Sequence, residues 1–410
     1  MFQCAVVNEI NNRAWIMTPP SRHEEILNVD ESGRSESNWP AGDNEVADWT
    51  DKYFVLTKEI VKNFGDANVT YAVFMRRPVI SAPMLAVEWL ETIARHRNIR
   101  IVTDIRYSEG TWVGAGEPII YISGLFSELV DLETLLLQKL GPACVAAYNA
   151  FSMCSDLPKT AFLAMDSRHC AGTGMSEIMA YAASVGSFAA KKKWGSIGFI
   201  GNATDATAHY FEQSQGLGTM PHALIGYAGS TLRAAEMFDQ SFPEAPMTVL
   251  VDYFAQEITD SLSVAKRFPE RVKAGTLSFR MDTPGSRYVE RLDPTVSYAV
   301  LEKHVPDVVR SYRVESELAY LVGPGVSAAS IWHLRDALDA EGYQNVRIVG
   351  SSGFNSSKCR LFAAAKTPID VIGTGSYLPQ NWPETYATAD IVEYDGDARV
   401  KVGREFLLRK

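Results

Sequence analysis

Apolar positions along the chain change period several times, and each change marks an element. Over residues 51–64 they fall at helical spacing, at Phe54, Val55, Ile60, Val61 and Phe64, which predicts a helix. A strand is expected in VTYAVFMRR (69–77), a helix over 84–96, and a strand in NIRIVTDI (98–105). Gly110, Gly114 and Gly116 punctuate the turn into another strand, PIIYISG (118–124), and residues 125–140 return to a helical pattern. Strands and helices mixed in this way predict an α+β unit.

After Pro142 the rhythm changes. Short apolar runs recur, each ending in polar or glycine residues: KTAFLAM (159–165), SIGFI (196–200), GTMPHALI (218–225), MTVLV (247–251), TLSFRM (276–281), LAYLVG (318–323), NVRIVG (345–350) and PIDVIG (368–373). Eight runs at a spacing of roughly 25–40 residues have the repeat of a strand followed by a crossover helix. They predict a parallel α/β barrel of irregular form, with a doubly wound sheet as the alternative. Residues 387–410 alternate like a hairpin around Asp395-Gly396 and are expected to return to the first unit.

Composition narrows the function classes. The chain has 410 residues, 46% of them hydrophobic and 21% charged, ordinary for one large or two medium globular domains. Lys and Arg number 39 against 49 Asp and Glu, a net charge of −10, so no general nucleic-acid or anionic-membrane surface is expected. An anionic substrate would need a local cluster of arginines. The five cysteines are far apart and form no C-x-x-C, so neither a disulfide framework nor a zinc ribbon is expected; reduced thiols and a cytoplasmic protein are. The stretch MFQCAVVNEI has no basic start and no long apolar run, so no signal peptide is expected. No run of about 18 apolar residues occurs, so no membrane span is expected either.

In a parallel barrel the chemistry gathers at the carboxyl ends of the strands. The residues there are Asp166, Ser167, Arg168 and His169; Gly201, Asn202, Ala203, Thr204 and Asp205; Pro221 and His222; Asp252 and Tyr253; Arg280, Asp282 and Thr283; Gly350, Ser351, Ser352 and Gly353; and Gly373, Thr374, Gly375 and Ser376. Glycine-rich turns after the last two strands let successive backbone N–H groups close on a phosphate, helped by the next helix N-terminus. Arg168 and Arg280 suit phosphate oxygens or a carboxylate. Asp252 and Asp282 suit ribose hydroxyls or a Mg²⁺ bridging to pyrophosphate. That mixture points to a phosphorylated sugar. Each feature also has a plain structural reading: His222 as a satisfied core histidine, the glycines as simple turns, Arg280 and Asp282 at i and i+2 as an ion pair. No H-E-x-x-H, G-x-x-x-x-G-K-[ST], G-x-S-x-G or G-x-G-x-x-G occurs, which weighs against a zinc protease, a P-loop ATPase, a serine hydrolase and a standard dinucleotide dehydrogenase.

The order of motifs resembles the nicotinate phosphoribosyltransferases, type II phosphoribosyltransferases, in an archaeal-like branch. TDKYF (50–54) resembles the family's T-D-x-Y opening, and GEPIIYISG with LVDLETLLLQKL (116–140) its G-E-P strand and L-E-T-x-L-L helix. Ser167-Arg168-His169, GTMPHALIG (218–226), VLVDYF (249–254) and FRMDTP (279–284) are similar to further elements, the second to the stretch with the family's reactive histidine. VRIVGSSGFN (346–355) and IDVIGTGS (369–376) resemble its phosphate loops, and DIVEYDGDARVKVGR (390–404) its closing hairpin. The chain departs from the pattern at Met165, where many relatives have an aromatic ring, at Asp166, usually glycine, and in Asn-Ala-Thr-Asp after Gly201.

The resemblance implies an N-terminal α+β sandwich (1–144, completed by 381–410) on an irregular α/β barrel (145–380), while residues 1–48, which have no counterpart in the family, are expected to be an irregular arm because 18–50 are polar and acidic. It implies transfer of phosphoribosyl from phosphoribosyl pyrophosphate to nicotinate, with Mg²⁺, with ATP as co-substrate, and in a homodimer. Carried over, Tyr53 stacks on the pyridine ring; Arg168, Thr204 and Arg280 contact substrate; Asp252 and Asp282 handle ribose and metal; Gly350, Ser351, Gly353, Gly375 and Ser376 cradle the 5′-phosphate; His222 is phosphorylated by ATP. Ala203, where nicotinamide-using relatives have an aspartate, favours the acid, although a small shift brings Asp205 to that place; the alternatives are an enzyme using nicotinamide or quinolinate and a non-catalytic nucleotide-binding homologue.

Overall fold

The computed structural model describes residues 40, 42–381 and 387–408. Most of the expected arm, residues 1–39, and Cys4 with it, lie outside these residues. Where the arm enters the described chain it is helical, Asp43–Trp49, rather than irregular. The strands in chain order are β1 (Asn68–Met75), β2 (Val79–Ile80), β3 (Val102–Ile105), β4 (Trp112–Val113), β5 (Pro118–Leu125), β6 (Ala161–Ala164), β7 (Gly198–Asn202), β8 (Met247–Leu250), β9 (Leu277–Met281), β10 (Arg347–Gly350), β11 (Val371–Thr374), β12 (Ala387–Tyr394) and β13 (Asp397–Ala398). They form a five-stranded sheet in the order β13-β12-β1-β5-β3, a six-stranded sheet in the order β7-β6-β11-β10-β9-β8, and the small pair β2-β4.

The five-stranded sheet is antiparallel, with β1 between β5 and the C-terminal strand β12. Alternation along β1 sends Val69, Tyr71, Val73 and Met75 into the main core, and Ala72 and Phe74 into a second cluster with Tyr121, Val392 and Leu407. Both faces are therefore covered. The C-terminal hairpin turns at Asp395 and Gly396, both at positive φ (49° and 88°), the backbone that a two-residue hairpin turn requires.

Helices Lys52–Phe64 and Met84–Arg97 form where the periodicity places them. The pattern expected to end near 140 continues: one helix runs Glu133–Asp156 straight through Pro142. A proline inside a helix costs about 3 kcal/mol. Here residues 139–147 are buried all round, and that packing outweighs the lost hydrogen bond. The helix lies against Thr173–Trp194, and Gly186 permits the approach, since a Cβ there would sit 2.2 Å from the Ala147 carbonyl oxygen.

The six-stranded sheet is parallel throughout and curls into an irregular barrel. Two of the eight expected strands are not strands. LAYLVG lies in the helix Glu315–Val322, whose first turn carries Glu315 and Glu317 and whose Leu321 is buried. In GTMPHALI, Pro221 starts a helix, His222–Ala228, and only the residues before it are extended. This extended piece bridges β7 and β8, the unpaired ends of the sheet. Leu217 N donates to the Asn202 carbonyl at 2.7 Å and Met220 N to the Thr248 carbonyl at 3.4 Å. The barrel is closed by this seam, not by a seventh and eighth strand. Inside it Ala161, Leu163, Val349 and Val371 pack with Met165, Ile200 and Leu217, while Phe162, Phe279 and Ile348 face the helices. Among the described residues Cys144, Cys154 and Cys359 are buried free thiols, and no helix is long and apolar enough to cross a membrane.

Candidate active site

Alternation along β9 decides the first feature. Phe279 and Met281 face the helix layer, so Arg280 and Asp282 project into the barrel. Arg280 is 6% exposed and holds three partners. Its Nη2 donates to Asp282 Oδ2 at 2.9 Å, its Nε to Ser351 Oγ at 3.2 Å, and its Nη1 to Thr219 Oγ1. Ser351 Oγ in turn donates to Asp282 Oδ1 at 2.8 Å. The ion-pair reading of Arg280 and Asp282 is thus realised, at the carboxyl end of the barrel. A planar fork that fits two carboxylate or phosphate oxygens sits at its centre.

The second feature is His222. It opens its helix on the rim, with its side chain 46% exposed, and its Nε2 lies 3.1 Å from Oδ2 of Asp252, a side chain only 4% exposed. A carboxylate can only accept, so Nε2 donates, which in the neutral ring leaves the Nδ1 lone pair free. The other Asp252 oxygen, Oδ1, is buried without a hydrogen-bond partner. The Asp252 carbonyl accepts from Arg287 Nη2 at 2.7 Å, and Arg287 pairs with the fully buried Glu257 at 2.6 Å. Glu257 also accepts from Thr283 Oγ1 at 2.9 Å and from Glu290 N at 3.1 Å. One buried carboxylate therefore ties the turn after β8 to the turn after β9. Thr219 stands three residues before His222, so the stretch that carries the imidazole also holds the guanidinium. The two are thus linked through one stretch of chain at the carboxyl ends of β8 and β9.

Glycine turns form the third feature. After β10, Ser352 and Gly353 both adopt positive φ (76° and 67°), and Asn355 Oδ1 caps the helix Ser356–Ala364 by accepting from Lys358 N at 2.8 Å. Gly350 has no room for a side chain, since a Cβ would meet Ile369 Cδ1 at 2.6 Å. After β11, a Cβ at Gly375 would lie 2.8 Å from the His169 ring. Ser376 is exposed at the same turn. Burial, and then the charge of Arg168, hold the His169 pKa below the usual histidine range. Asn149 Nδ2 donates to the carbonyls of Tyr377, Leu378 and Gln380 at 3.2, 3.1 and 3.0 Å and anchors the chain that follows.

Thr204 bonds Thr207 Oγ1 at 2.8 Å and accepts from Asn202 Nδ2 at 3.0 Å, while Asn202 Oδ1 is buried and unpartnered. Arg168 is exposed after β6, and Asp166 is buried there with its pKa pushed up to about 6 by desolvation. Tyr53 lines a cleft of about 670 Å³ with Asp51, Glu133, Leu137 and Met175. Thr219, Glu257 and Arg287 escape sequence reading, because their part depends on long-range partners.

No family model matches the chain, and no curated protein matches it in sequence. Solved structures do match. A nicotinate-nucleotide pyrophosphorylase from Pyrococcus furiosus aligns with a TM-score of 0.65 at 22% identity, over 90% of this chain and 81% of that one. The chain shares the fold of that protein. Human nicotinic acid phosphoribosyltransferase aligns at 0.56 and 14% identity, over 86% and 76% of the two chains. NadC from Streptococcus pyogenes aligns at 0.51 and 14%, over 85% and 93%.

Proposed function

We propose that the protein transfers a phosphoribosyl group from phosphoribosyl pyrophosphate to nicotinate, giving nicotinate mononucleotide and pyrophosphate, with ATP coupled through His222. The observation that supports this reading is the stretch 219–222, whose Thr219 bonds Arg280 and whose His222 bonds Asp252. Arg280, Asp282 and Ser351 converge with the His222–Asp252 pair and the glycine turns at the carboxyl end of the barrel. The phosphoribosyltransferase fold supports it.

The residues suit the chemistry. Departure of pyrophosphate leaves positive charge on the sugar C1 carbon, which the pyridine nitrogen attacks. Little proton transfer is needed, so the work is positioning, leaving-group stabilisation and exclusion of water. Arg280 offers its two remaining N–H groups to the diphosphate or the nicotinate carboxylate. The turns at Gly350–Gly353 and Gly375–Ser376 receive the 5′-phosphate on backbone N–H groups, and Thr204 and Arg168 face the ring base. Among the described residues no cluster of three or more acidic, histidine or cysteine side chains can hold a metal alone. The unpartnered Asp252 Oδ1 nevertheless fits a Mg²⁺ that arrives with the diphosphate, or a ribose hydroxyl. Such an ion supplies charge neutralisation to the leaving group. For ATP coupling, the free Nδ1 of His222 forms the N–P bond as the bond from the γ-phosphorus to ADP breaks.

Helix Lys52–Phe64 supports a homodimer. Tyr53, Leu56, Ile60 and Phe64 recur on it at helical spacing, and all are exposed. In a dimer joined there, Tyr53 reaches the partner's ring base. A cytoplasmic location belongs to the same reading.

The test is pyrophosphate release by purified protein with phosphoribosyl pyrophosphate and Mg²⁺, supplied in turn with nicotinate, nicotinamide and quinolinate, with and without ATP. Nicotinate should react, and faster with ATP. Turnover only with one of the other two bases sinks the substrate assignment, and mononucleotide binding without any turnover sinks the enzyme reading.

A further inference from the structure

Lys358 is used by nothing described so far. It lies in the first turn of the helix after the β10 glycine turn, yet it is only 4% exposed. Its Nζ donates to the Ser352 carbonyl at 2.8 Å and stands 4.2 Å from the Phe354 ring centroid, with the rings of Phe362 and Tyr320 at 5.7 and 5.8 Å. Among the described residues no carboxylate forms an ion pair with it. A buried ammonium without an anion is strongly disfavoured, even with aromatic faces around it. The charge also sits directly against the turn. Ser352, whose carbonyl it holds, is at positive φ, and beside Gly353 the space a side chain would take is open.

We propose that Lys358 is the buried counter-charge of a phosphate monoester seated on the 350–355 turn, and that seating the phosphate keeps its ammonium protonated. This rests on the phosphoribosyl reading and adds to it a residue and a proton linkage. The groups facing the ammonium are few. Asp282 comes from the turn after β9 and Tyr320 from helix Glu315–Val322; Cys359 and Arg360 share its own helix. Asp156, from helix Glu133–Asp156, is engaged by Ser356. Asp282 is already held by Arg280 and Ser351, so neither carboxylate neutralises the lysine. Desolvation lowers the Lys358 pKa to about 8, against the opposing pull of Asp282.

The sign follows. A bound dianion favours the charged ammonium and raises that pKa. Between about 8 and the raised value, binding takes up a proton, and affinity falls as pH rises through the window. The phosphate itself, with a second ionisation near pH 6, is already dianionic there.

The experiment is calorimetric titration of the full chain with ribose 5-phosphate at pH 7 and pH 9, in buffers of different ionisation enthalpy. The expected result at pH 9 is uptake approaching one proton, roughly, and affinity about tenfold weaker than at pH 7. Lys358→Arg should bind at both pH values without proton uptake, because its charge does not titrate. Lys358→Met should bind weakly, with no pH dependence over this range. Wild-type binding without proton uptake, or uptake that persists in Lys358→Arg, overturns the lysine assignment and leaves the phosphoribosyl reading standing. No binding of ribose 5-phosphate by wild-type protein at either pH overturns both.

Discussion

Replacing Arg280 with lysine keeps the positive charge and removes the fork. The guanidinium serves Thr219, Asp282 and Ser351 at once, and an ammonium on a flexible stem can serve one of them in the same place. Hydrogen bonds to a charged group contribute about 1.5–3 kcal/mol each, so two lost bonds amount to about 3–6 kcal/mol before anything relaxes. The Asp282 side chain keeps 15% of its surface, so water can replace part of the loss. The stability cost expected for Arg280→Lys is therefore about 2–4 kcal/mol, read from equilibrium urea unfolding. The rate should suffer separately. Loss of one preorganised electrostatic contact costs about 100- to 1,000-fold in turnover. Pyrophosphate release at saturating substrates, on protein shown to be folded by circular dichroism, measures it. A variant that loses stability as stated but keeps its rate within about tenfold of wild type would refute the reasoning, and would leave Arg280 and Asp282 as a structural ion pair.

Three further outcomes are expected. His222→Ala should abolish stimulation by ATP while leaving basal transfer, checked by pyrophosphate release with and without ATP; undiminished stimulation rules out a phosphohistidine at this position. In Gly375→Ala the new Cβ meets the His169 ring at 2.8 Å and the Met165 carbonyl at 3.1 Å. That crowding should cost about 1–3 kcal/mol and raise the KM for phosphoribosyl pyrophosphate, measured by urea unfolding and steady-state kinetics. Glu290 accepts from Ile258 N at 2.9 Å and Thr259 N at 2.8 Å; burial opposes ionisation, but these bonds and the Thr259 hydroxyl win and hold its pKa below the ordinary glutamate value. Its stabilising contribution is then present above the unfolded value and lost as pH falls through the folded one, so Glu290→Gln should be less stable at neutral pH and lose less stability between about pH 5 and pH 3.

Much of the architecture is legible in the sequence, because each element carries its own period. TLSFRM shows it best: strict alternation puts Phe279 on one face and Arg280 and Asp282 on the other, and the folded strand keeps that division. The failures have local causes. LAYLVG reads as a strand only when Glu315 and Glu317 before it are ignored; they set the first turn of a helix. GTMPHALI is apolar enough for a strand, but Pro221 breaks it and leaves a short seam. Pro142 suggests a boundary, yet burial on all sides carries the helix through it. In the candidate site the terminal glycines and the histidine stand out from composition and position alone. Glu257 and Arg287 do not, since their partners lie on separate turns. Nor does Lys358, because a lysine in the first turn of a helix reads as a solvated one until Phe354 and Phe362 are folded over it.

The seam between β7 and β8 has a mechanical consequence. Elsewhere around the wall, neighbouring staves are laced by a continuous ladder; at this joint two main-chain bonds, from Leu217 and Met220, bear the hoop tension. Amides there should exchange with deuterium sooner than those of β9 and β10, which have laddered neighbours on both sides. Because Thr219 and His222 ride on the joint, the wall gives way first at the place where the guanidinium and the imidazole are linked.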